Sequence, residues 1–324
     1  MPSLVNFLAD PPAKYRPVPF WSWNADLTAE ELTRQVRLMK EAGMGGFFMH
    51  ARGGLQTPYM GDDWFAVTEA VLDAAAETGM NAWAYDENGW PSGFGDGKVN
   101  GLGETYQLKY FRHKKMDAAQ LADVKNLLAV YTADGKRIAA DTAAGEIIAV
   151  WYEVNPFYVD NADPEVVRTF LNVIYQAYYD RLPAEKRKHL AGFFTDEPQL
   201  SRNGIPYSPF MLGEYKKEWG EDVMDRIPEL YLPLGEYVRT RVRFWQTMGR
   251  CFANSYSRQL GEWCEKHGMQ LTGHMVCEET YESQTISNGA VMPHYPHFHI
   301  PGMDSLGLAL HPFTLPVQVW SACA

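Results

Sequence analysis

Short apolar runs that end at charged or polar residues recur along this sequence. They cover residues 45–49, 80–85, 191–195 and 269–273. Strands that are buried on both faces of a parallel sheet read as continuous apolar runs. In an α/β barrel the reactive side chains follow the carboxyl ends of such strands. A single run of this kind would be an ordinary strand and loop, but four in succession favour a shared functional edge.

Segments with helical periodicity separate these runs. A first strand at residues 19–23 precedes the capping box Thr28-Ala-Glu-Glu31, which predicts the start of a helix that ends at Gly43. A second helix is predicted over residues 63–78, with Gly79 as its stop. Strands and helices in alternation, joined by short links, predict parallel strands with right-handed crossovers.

The alternation is interrupted after the third strand. Residues 104–158 read as an inserted β-rich segment, with strands at 127–132 and 146–154. The pattern resumes with a helix that begins at Asp163-Pro164. Insertions in βα loops often shape the substrate cleft, so we expect this segment to border the site.

The whole pattern predicts an α/β fold of the (β/α)8 TIM-barrel type. A long helical stretch at residues 234–267 precedes the fifth strand, and a sixth strand is expected near residues 302–306. One catalytic domain over residues 1–324 would then hold about six βα units, whereas a closed barrel needs eight. We therefore expect an incomplete barrel: either the chain is the N-terminal part of a longer enzyme, or another element closes the barrel, or the fold is not a barrel.

Composition narrows the class of protein. The 324 residues are 46% hydrophobic, which suits one large globular domain. The absence of a stretch of roughly 20 apolar residues and of a signal-peptide pattern predicts a cytoplasmic protein with no membrane partner. The net charge of −11 argues against a nucleic-acid partner. The four cysteines lack Cys-x-x-Cys spacing and are expected to be reduced, and no oligomeric state is indicated.

Aromatic residues make up 14% of the chain, and ten of them are tryptophan. Flat rings stack on the apolar C–H faces of sugars, so this content is typical of a carbohydrate-binding cleft. A tryptophan-rich core would give the same composition. Composition alone does not choose between these two interpretations.

Carboxylates follow two of the predicted strands. Glycoside hydrolysis requires a carboxylic acid that protonates the leaving oxygen and a second carboxylate, roughly 5 to 9.5 Å away. Glu197 is the candidate acid, because an apolar strand delivers it to the edge of the sheet. Asp196 is expected to orient the sugar or to bind it. Asp86 and Glu87 would either bind sugar hydroxyls or cap a loop.

The fifth strand is followed by His274, Glu278 and Glu279. His274 is expected to contact the sugar. At least one of the two glutamates can project into the site, and Glu279 would supply the second carboxylate if it lay within about 10 Å of Glu197.

Two sequence features offer other interpretations. His294, His297 and His299 are suitable transition-metal ligands, so a metal-dependent hydrolase is an alternative, although a His-Glu-x-x-His helix is absent. The segment Gly93-Phe-Gly-Asp-Gly97 matches neither phosphate-binding nor dinucleotide-binding patterns. A further alternative is a carbohydrate-binding protein, or a truncated one, that binds sugar without turnover.

Several motifs resemble those of a known family of bacterial enzymes. They are Pro19-Phe-Trp-Ser-Trp-Asn24, Gly45-Gly-Phe-Phe-Met-His-Ala-Arg-Gly-Gly-Leu55 with Pro58-Tyr59, Tyr85-Asp-Glu-Asn-Gly-Trp-Pro-Ser-Gly93, and Thr195-Asp-Glu-Pro198. Together they resemble glycoside hydrolases related to family 106, the α-L-rhamnosidases. The resemblance covers most of the chain and is strongest over the first hundred residues and around Glu197.

The resemblance implies a barrel enzyme that acts on a plant or microbial polysaccharide, with Glu197 as the acid after the fourth strand. The second carboxylate of the family follows the seventh strand and has no matching position here. Rhamnosidases of this family are associated with calcium, whose ligands we do not assign on this sequence. The expected sugar site is lined by Trp21, Trp23, His50, Arg52, Tyr85, Asp86, Glu87 and Trp90.

Overall fold

A computed structural model describes the chain over residues 4–306 and 314–324, with side chains from residue 7 onward. The strands are β1 (Phe20–Trp23), β2 (Gly46–Ala51), β3 (Asn81–Asn88), β4 (Gln107–Asp117), β5 (Leu127–Thr132), β6 (Arg137–Ile138), β7 (Glu146–Val159), β8 (Leu190–Asp196), β9 (Gln270–His274) and β10 (Ile300–Pro301). The α-helices are α1 (Leu4–Ala9), α2 (Ala29–Glu41), α3 (Asp62–Thr78), α4 (Pro164–Leu171), α5 (Ala177–Arg181), α6 (Ala184–Arg187), α7 (Pro209–Trp219), α8 (Ile227–Tyr231), α9 (Tyr237–Ala253), α10 (Gln259–Lys266), α11 (Tyr281–Asn288) and α12 (Leu315–Cys323).

Six strands form one parallel sheet in the order β1-β2-β3-β8-β9-β10. This is also their order along the chain, so each new strand is added on the same side of the previous one. The predicted α/β class and the parallel strands are confirmed. Within the described residues β1 and β10 are the two edges of the sheet, and a closed barrel is not seen.

The inserted segment forms a separate antiparallel sheet in the order β4-β7-β5-β6. It falls within the predicted insertion, apart from the last residue of β7. β4 was not predicted from the sequence. All of its residues pair with β7.

The two faces of the parallel sheet have different partners. Trp21 and Trp23 point to the side that carries the helices, where the Trp21 indole nitrogen donates to the Gln35 side chain at 2.7 Å. The Trp23 ring packs on Trp64 of α3 at a centroid distance of 4.9 Å. The opposite face carries an aromatic cluster, which includes Phe20, Phe48, Tyr85 and Phe194.

The sixth strand and the long helix depart from prediction. The sixth strand is Ile300–Pro301, not residues 302–306, and the Gly302 N–H that follows it still donates to the Gly273 carbonyl of β9 at 2.8 Å. The predicted helical stretch contains α9 and α10, joined by a π-helical turn at Asn254–Arg258. None of the described helices is both long and apolar enough to cross a membrane.

Candidate functional site

The candidate site lies at the carboxyl ends of β8 and β9. Asp196 and His274 are register partners there, and Glu197 follows directly. Gly273 allows β9 to lie close to β8 here, because a Cβ at this position would lie 2.0 Å from the Thr195 carbonyl oxygen. Its φ of +140° also favours glycine. Glu197 has a φ of 51°, an unusual conformation for a residue with a side chain. Such strain is concentrated at functional sites.

Asp196 and His274 form a mostly buried ion pair. The His274 Nε2 lies 3.2 Å from an Asp196 oxygen, and the Tyr85 hydroxyl donates to the other oxygen at 2.6 Å. Burial alone would raise the pKa of Asp196, but the hydrogen bonds from His274 and Tyr85 outweigh it and lower that pKa. Burial would lower the pKa of His274, but the Asp196 carboxylate outweighs it and raises the pKa to about 9. His274 is therefore a cation at neutral pH.

Glu197 sits between this ion pair and Trp90. The Trp90 indole nitrogen donates to Glu197 at 2.8 Å, and Trp90 is 43% exposed, with the Arg202 guanidinium 5.4 Å from the centre of its ring. The segment that carries Trp90 is fixed to β8, because Ser92 and Asp196 exchange two hydrogen bonds of 2.8 Å. Burial raises the pKa of Glu197, while the positive charge of His274 opposes the rise.

Asp304 is a site residue that the sequence reading missed. One side-chain ligand atom from each of Glu197, His274 and Asp304 lies within 4.8 Å of the other two. The available signal was the rule already used for other strands, because Asp304 follows the sixth strand by three residues. Misplacing that strand by two residues put Asp304 inside it.

Glu278 contacts two members of this group, His274 and Asp304. Its carboxylate accepts from the Tyr295 hydroxyl at 2.7 Å and from the Asp304 backbone N–H, and it lies 4.0 Å from the His274 Nδ1. Burial raises the pKa of Glu278 to about 7. Glu279 is half-buried and lies outside the group that holds Glu197, so its predicted role as second carboxylate remains untested.

His50 and Arg52 border the aromatic face at the end of β2. The His50 ring stacks on Tyr85 at a centroid distance of 3.4 Å, and neither of its ring nitrogens has a hydrogen-bond partner among the described residues. Burial and then the charge of Arg52 lower the pKa of His50 to about 4, so the imidazole is neutral. A neutral imidazole has one donor and one acceptor, and here both ring nitrogens are buried. Arg52 is exposed.

The structure does not bring Trp21, Trp23 or Asp86 to this site. All three lie on the helix-facing side of the sheet, because successive strand residues point to opposite faces. The two tryptophans belong to the core, as already seen. Asp86 is fully buried and accepts from Ser92 at 2.5 Å and from Tyr175 at 2.7 Å. Their predicted contact with sugar is therefore incompatible with this geometry.

Glu87 holds a loop instead of a ligand. Its carboxylate accepts five backbone N–H groups, from Asn88 and from each residue of 93–96, at 2.6 to 3.3 Å. Several residues here have positive φ, which turns their N–H groups toward one point and makes an anion-binding nest. The group that this glycine-rich segment surrounds is the carboxyl of Glu87, whose pKa burial raises to about 8 against the effect of the backbone N–H donors. Loop capping was one of the two expected roles.

The three histidines of the predicted metal site do not converge. The His294 Nδ1 pairs with the Ser257 hydroxyl at 2.7 Å, while the His299 Nδ1 accepts the Leu271 N–H at 3.0 Å. Among the described residues, the one group of three potential metal ligands is instead Glu197, His274 and Asp304. His294, His297 and His299 therefore do not form the metal site that the metal-dependent alternative requires.

The group at Glu197 does not suit the calcium ion that the family resemblance implies. Calcium takes six to eight oxygen ligands. Here one of three ligands is an imidazole that is protonated and faces carboxylates with both nitrogens, so it has no free lone pair.

The arrangement suits proton transfer to a sugar oxygen. A carboxyl with a raised pKa stays protonated at a higher pH than usual and can donate its proton. Asp304 places a second carboxylate oxygen within 4.8 Å of Glu197, close to the roughly 5 Å separation of retaining glycosidases. The exposed Trp90 ring supplies a flat apolar surface beside the acid.

Comparison with known proteins supports the fold. Neither a family model nor a curated protein matches the sequence. Among solved structures, the rhamnosidase from Novosphingobium sp. PP1Y has a similar fold, with a TM-score of 0.63 at 12% sequence identity. The match covers 92% of this chain and 49% of the rhamnosidase, so the chain spans about half the length of that enzyme. At this identity the likeness shows that the two proteins share an α/β fold.

Proposed function

We propose that this protein is a glycoside hydrolase in which Glu197 protonates the leaving oxygen. The observation that carries the proposal is the position of Glu197 beside the exposed Trp90 ring, with a pKa that burial raises. Lysozyme illustrates the same principle, since burial of one carboxyl makes it the acid. The similar fold of a rhamnosidase adds support.

The second carboxylate in this proposal is Asp304. One of its carboxylate oxygens lies within 4.8 Å of a Glu197 oxygen, whereas the Glu278 carboxylate accepts a hydrogen bond from the Tyr295 hydroxyl. The six parallel strands would form part of a barrel, and the resemblance to family 106 favours an α-L-rhamnoside as substrate. Tyr85, Asp196 and His274 would orient the acid, and the buried His50 would support the Tyr85 ring on which it stacks.

The leaving group of the substrate tests the acid. We expect Glu197→Gln to lose about 10²- to 10⁴-fold in kcat on an α-L-rhamnosyl disaccharide, because general acid catalysis contributes this much. On 4-nitrophenyl α-L-rhamnoside the loss should be much smaller, because nitrophenolate leaves without protonation. Asp304→Asn should impair both substrates, since attack on the sugar is required in each case.

Glu265→Gln is the matched control, because Glu265 is exposed on α10 and far along the chain from the site. Equal losses on both substrates in Glu197→Gln would contradict its role as acid. If the unaltered protein bound rhamnosides without hydrolysing them, the carbohydrate-binding alternative would replace the enzyme.

A further inference from the structure

Within the described residues, two arginines at the candidate site, Arg52 and Arg202, have neither a carboxylate nor a backbone carbonyl as partner, and Arg202 donates instead to the Cys277 sulfur at 3.5 Å. Every other arginine of the chain contacts a carboxylate or donates to a backbone carbonyl. Within the described residues, Arg52 and Arg202 have no carboxylate oxygen within 4.0 Å. Residues 1–3 and 307–313 contain no Asp or Glu that could supply one.

Both of these arginines border the site. Arg52 directly follows β2, and its charge acts on His50 and Tyr85. Arg202 lies in the segment after β8, with its guanidinium 5.4 Å from the centre of the Trp90 ring. The same Trp90 donates to Glu197, so Arg202 stands one side chain away from the acid. Both guanidinium groups are exposed.

The lack of partners is unusual for this chain. It has 40 acidic against 29 basic residues, so carboxylates are in excess over the cations that they can pair with. A guanidinium forms its strongest interactions with planar or tetrahedral oxyanions, through two parallel hydrogen bonds. An arginine without a carboxylate partner beside a candidate sugar site therefore offers a binding position for an anionic group of a ligand.

We propose that the site binds an anionic carbohydrate, whose carboxylate or sulfate group is held at the rim by Arg52 and Arg202. This inference rests on the proposed function, because it names the substrate class of the same site. The reacting sugar lies over the acid, and the anionic group belongs to that sugar or to a neighbouring one. The carboxylates of the site repel an anionic group from every other position, so the two arginines also determine how the carbohydrate is oriented.

The test compares matched oligosaccharides by isothermal titration calorimetry. Rhamnose-containing oligosaccharides with galacturonic or glucuronic acid residues are titrated beside their carboxyl-reduced forms, and sulfated rhamnose oligosaccharides beside their desulfated forms. We expect one acidic series to bind at least about tenfold more tightly than its neutral counterpart, because a charge-assisted hydrogen bond is worth that much. The series that shows this preference identifies the anionic group.

Variants connect the preference to the two arginines. Arg52→Gln and Arg202→Gln should each reduce the preference, and the double variant should abolish it. Arg37→Gln, an exposed arginine on α2, is the control that should retain it. In the unaltered protein, binding of the acidic series should weaken as salt increases, which requires no variant. Equal binding of acidic and neutral forms, or a preference that survives the double variant, would overturn the proposal, as would failure to bind any acidic series.

Release of sugar is measured in the same samples. Hydrolysis of neutral glycosides without an acidic preference would leave the proposed function intact and refute this inference. Selective binding of an acidic series without hydrolysis would support this inference and refute the proposed function.

Discussion

At the scale of single residues, the charge state of His274 governs the acid. His274 is a cation because the Asp196 carboxylate stabilises its protonated form. The positive charge of His274 opposes the rise in the pKa of Glu197. His274→Gln removes this cation and leaves the Asp196 carboxylate. The pKa of Glu197 should then rise further, so the alkaline limb of kcat/KM against pH should move to higher pH.

Asp196→Asn is the informative comparison for His274→Gln. It removes a negative charge from beside Glu197, but it also removes the partner that keeps His274 protonated. The two effects oppose each other, so the limb should move less than in His274→Gln. Equal displacement in the two variants, or none in His274→Gln, would contradict the charge coupling.

The sequence predicted which residues lie at the same edge of the sheet where their position after a strand is enough to place them. Asp196, Glu197 and His274 were expected together because each follows an apolar run, and parallel strands end at one edge. The direction of a side chain was not predictable in the same way. Strands buried on both faces have no polar alternation that marks the inner face, so Trp21 and Asp86 were placed on the wrong one.

At the scale of elements, Glu87 organises the loop that presents Trp90 to the acid. Glu87→Gln would replace an acceptor oxygen by an NH2 group that faces backbone N–H donors. We expect the free energy of unfolding to fall by about 2 to 4 kcal/mol, because buried donors lose their acceptor. Urea unfolding measures this loss.

Glu104→Gln is the control for this loop, because Glu104 is exposed, its carboxylate accepts from the Tyr152 hydroxyl, and a glutamine side chain can accept that bond. A loss in Glu87→Gln no larger than in Glu104→Gln would show that the nest does not depend on the carboxylate.

Elements with strong local signals were predicted well. The N-cap of α2 is Thr28, and α3 ends at Gly79 in the left-handed conformation, as the capping patterns indicate. β10 was misplaced, because a two-residue edge strand carries too little periodicity to be located. Its position is fixed instead by tertiary pairing, in which the Thr272 hydroxyl donates to the Ile300 carbonyl at 2.8 Å.

At the scale of the whole molecule, the order of strands followed from the sequence but closure of the sheet did not. Alternating strands and helices predict sequential parallel strands, because each crossover is short and right-handed. Closure depends on which strands meet at the edges, and β1 and β10 do not pair within the described residues. The edge position of β1 leaves Phe20 of the aromatic face 50% exposed.

Buried groups that retain protons make the stability of the molecule depend on pH. Burial raises the pKa of Asp86 to about 7, and Asp196 raises that of His274 to about 9 against desolvation. In the unfolded chain a carboxyl titrates near pH 4 and a histidine near 6.5. The folded state therefore binds more protons than the unfolded state above pH 6.5. We expect the free energy of unfolding to fall as pH rises from 6.5 through 9.

Asp86→Asn isolates the contribution of one of these groups. Asp86 opposes folding increasingly between pH 4 and pH 7, by about 1.4 kcal/mol per pH unit, and asparagine has no proton to retain. Urea unfolding at pH 5 and pH 8 should thus show the variant gaining about 3 kcal/mol relative to the unaltered protein. Asp123→Asn, which removes an exposed carboxylate, controls for the change in net charge. A constant difference between Asp86→Asn and the unaltered protein across this range would mean that Asp86 is ionised in the folded state, with Ser92 and Tyr175 donating to a carboxylate.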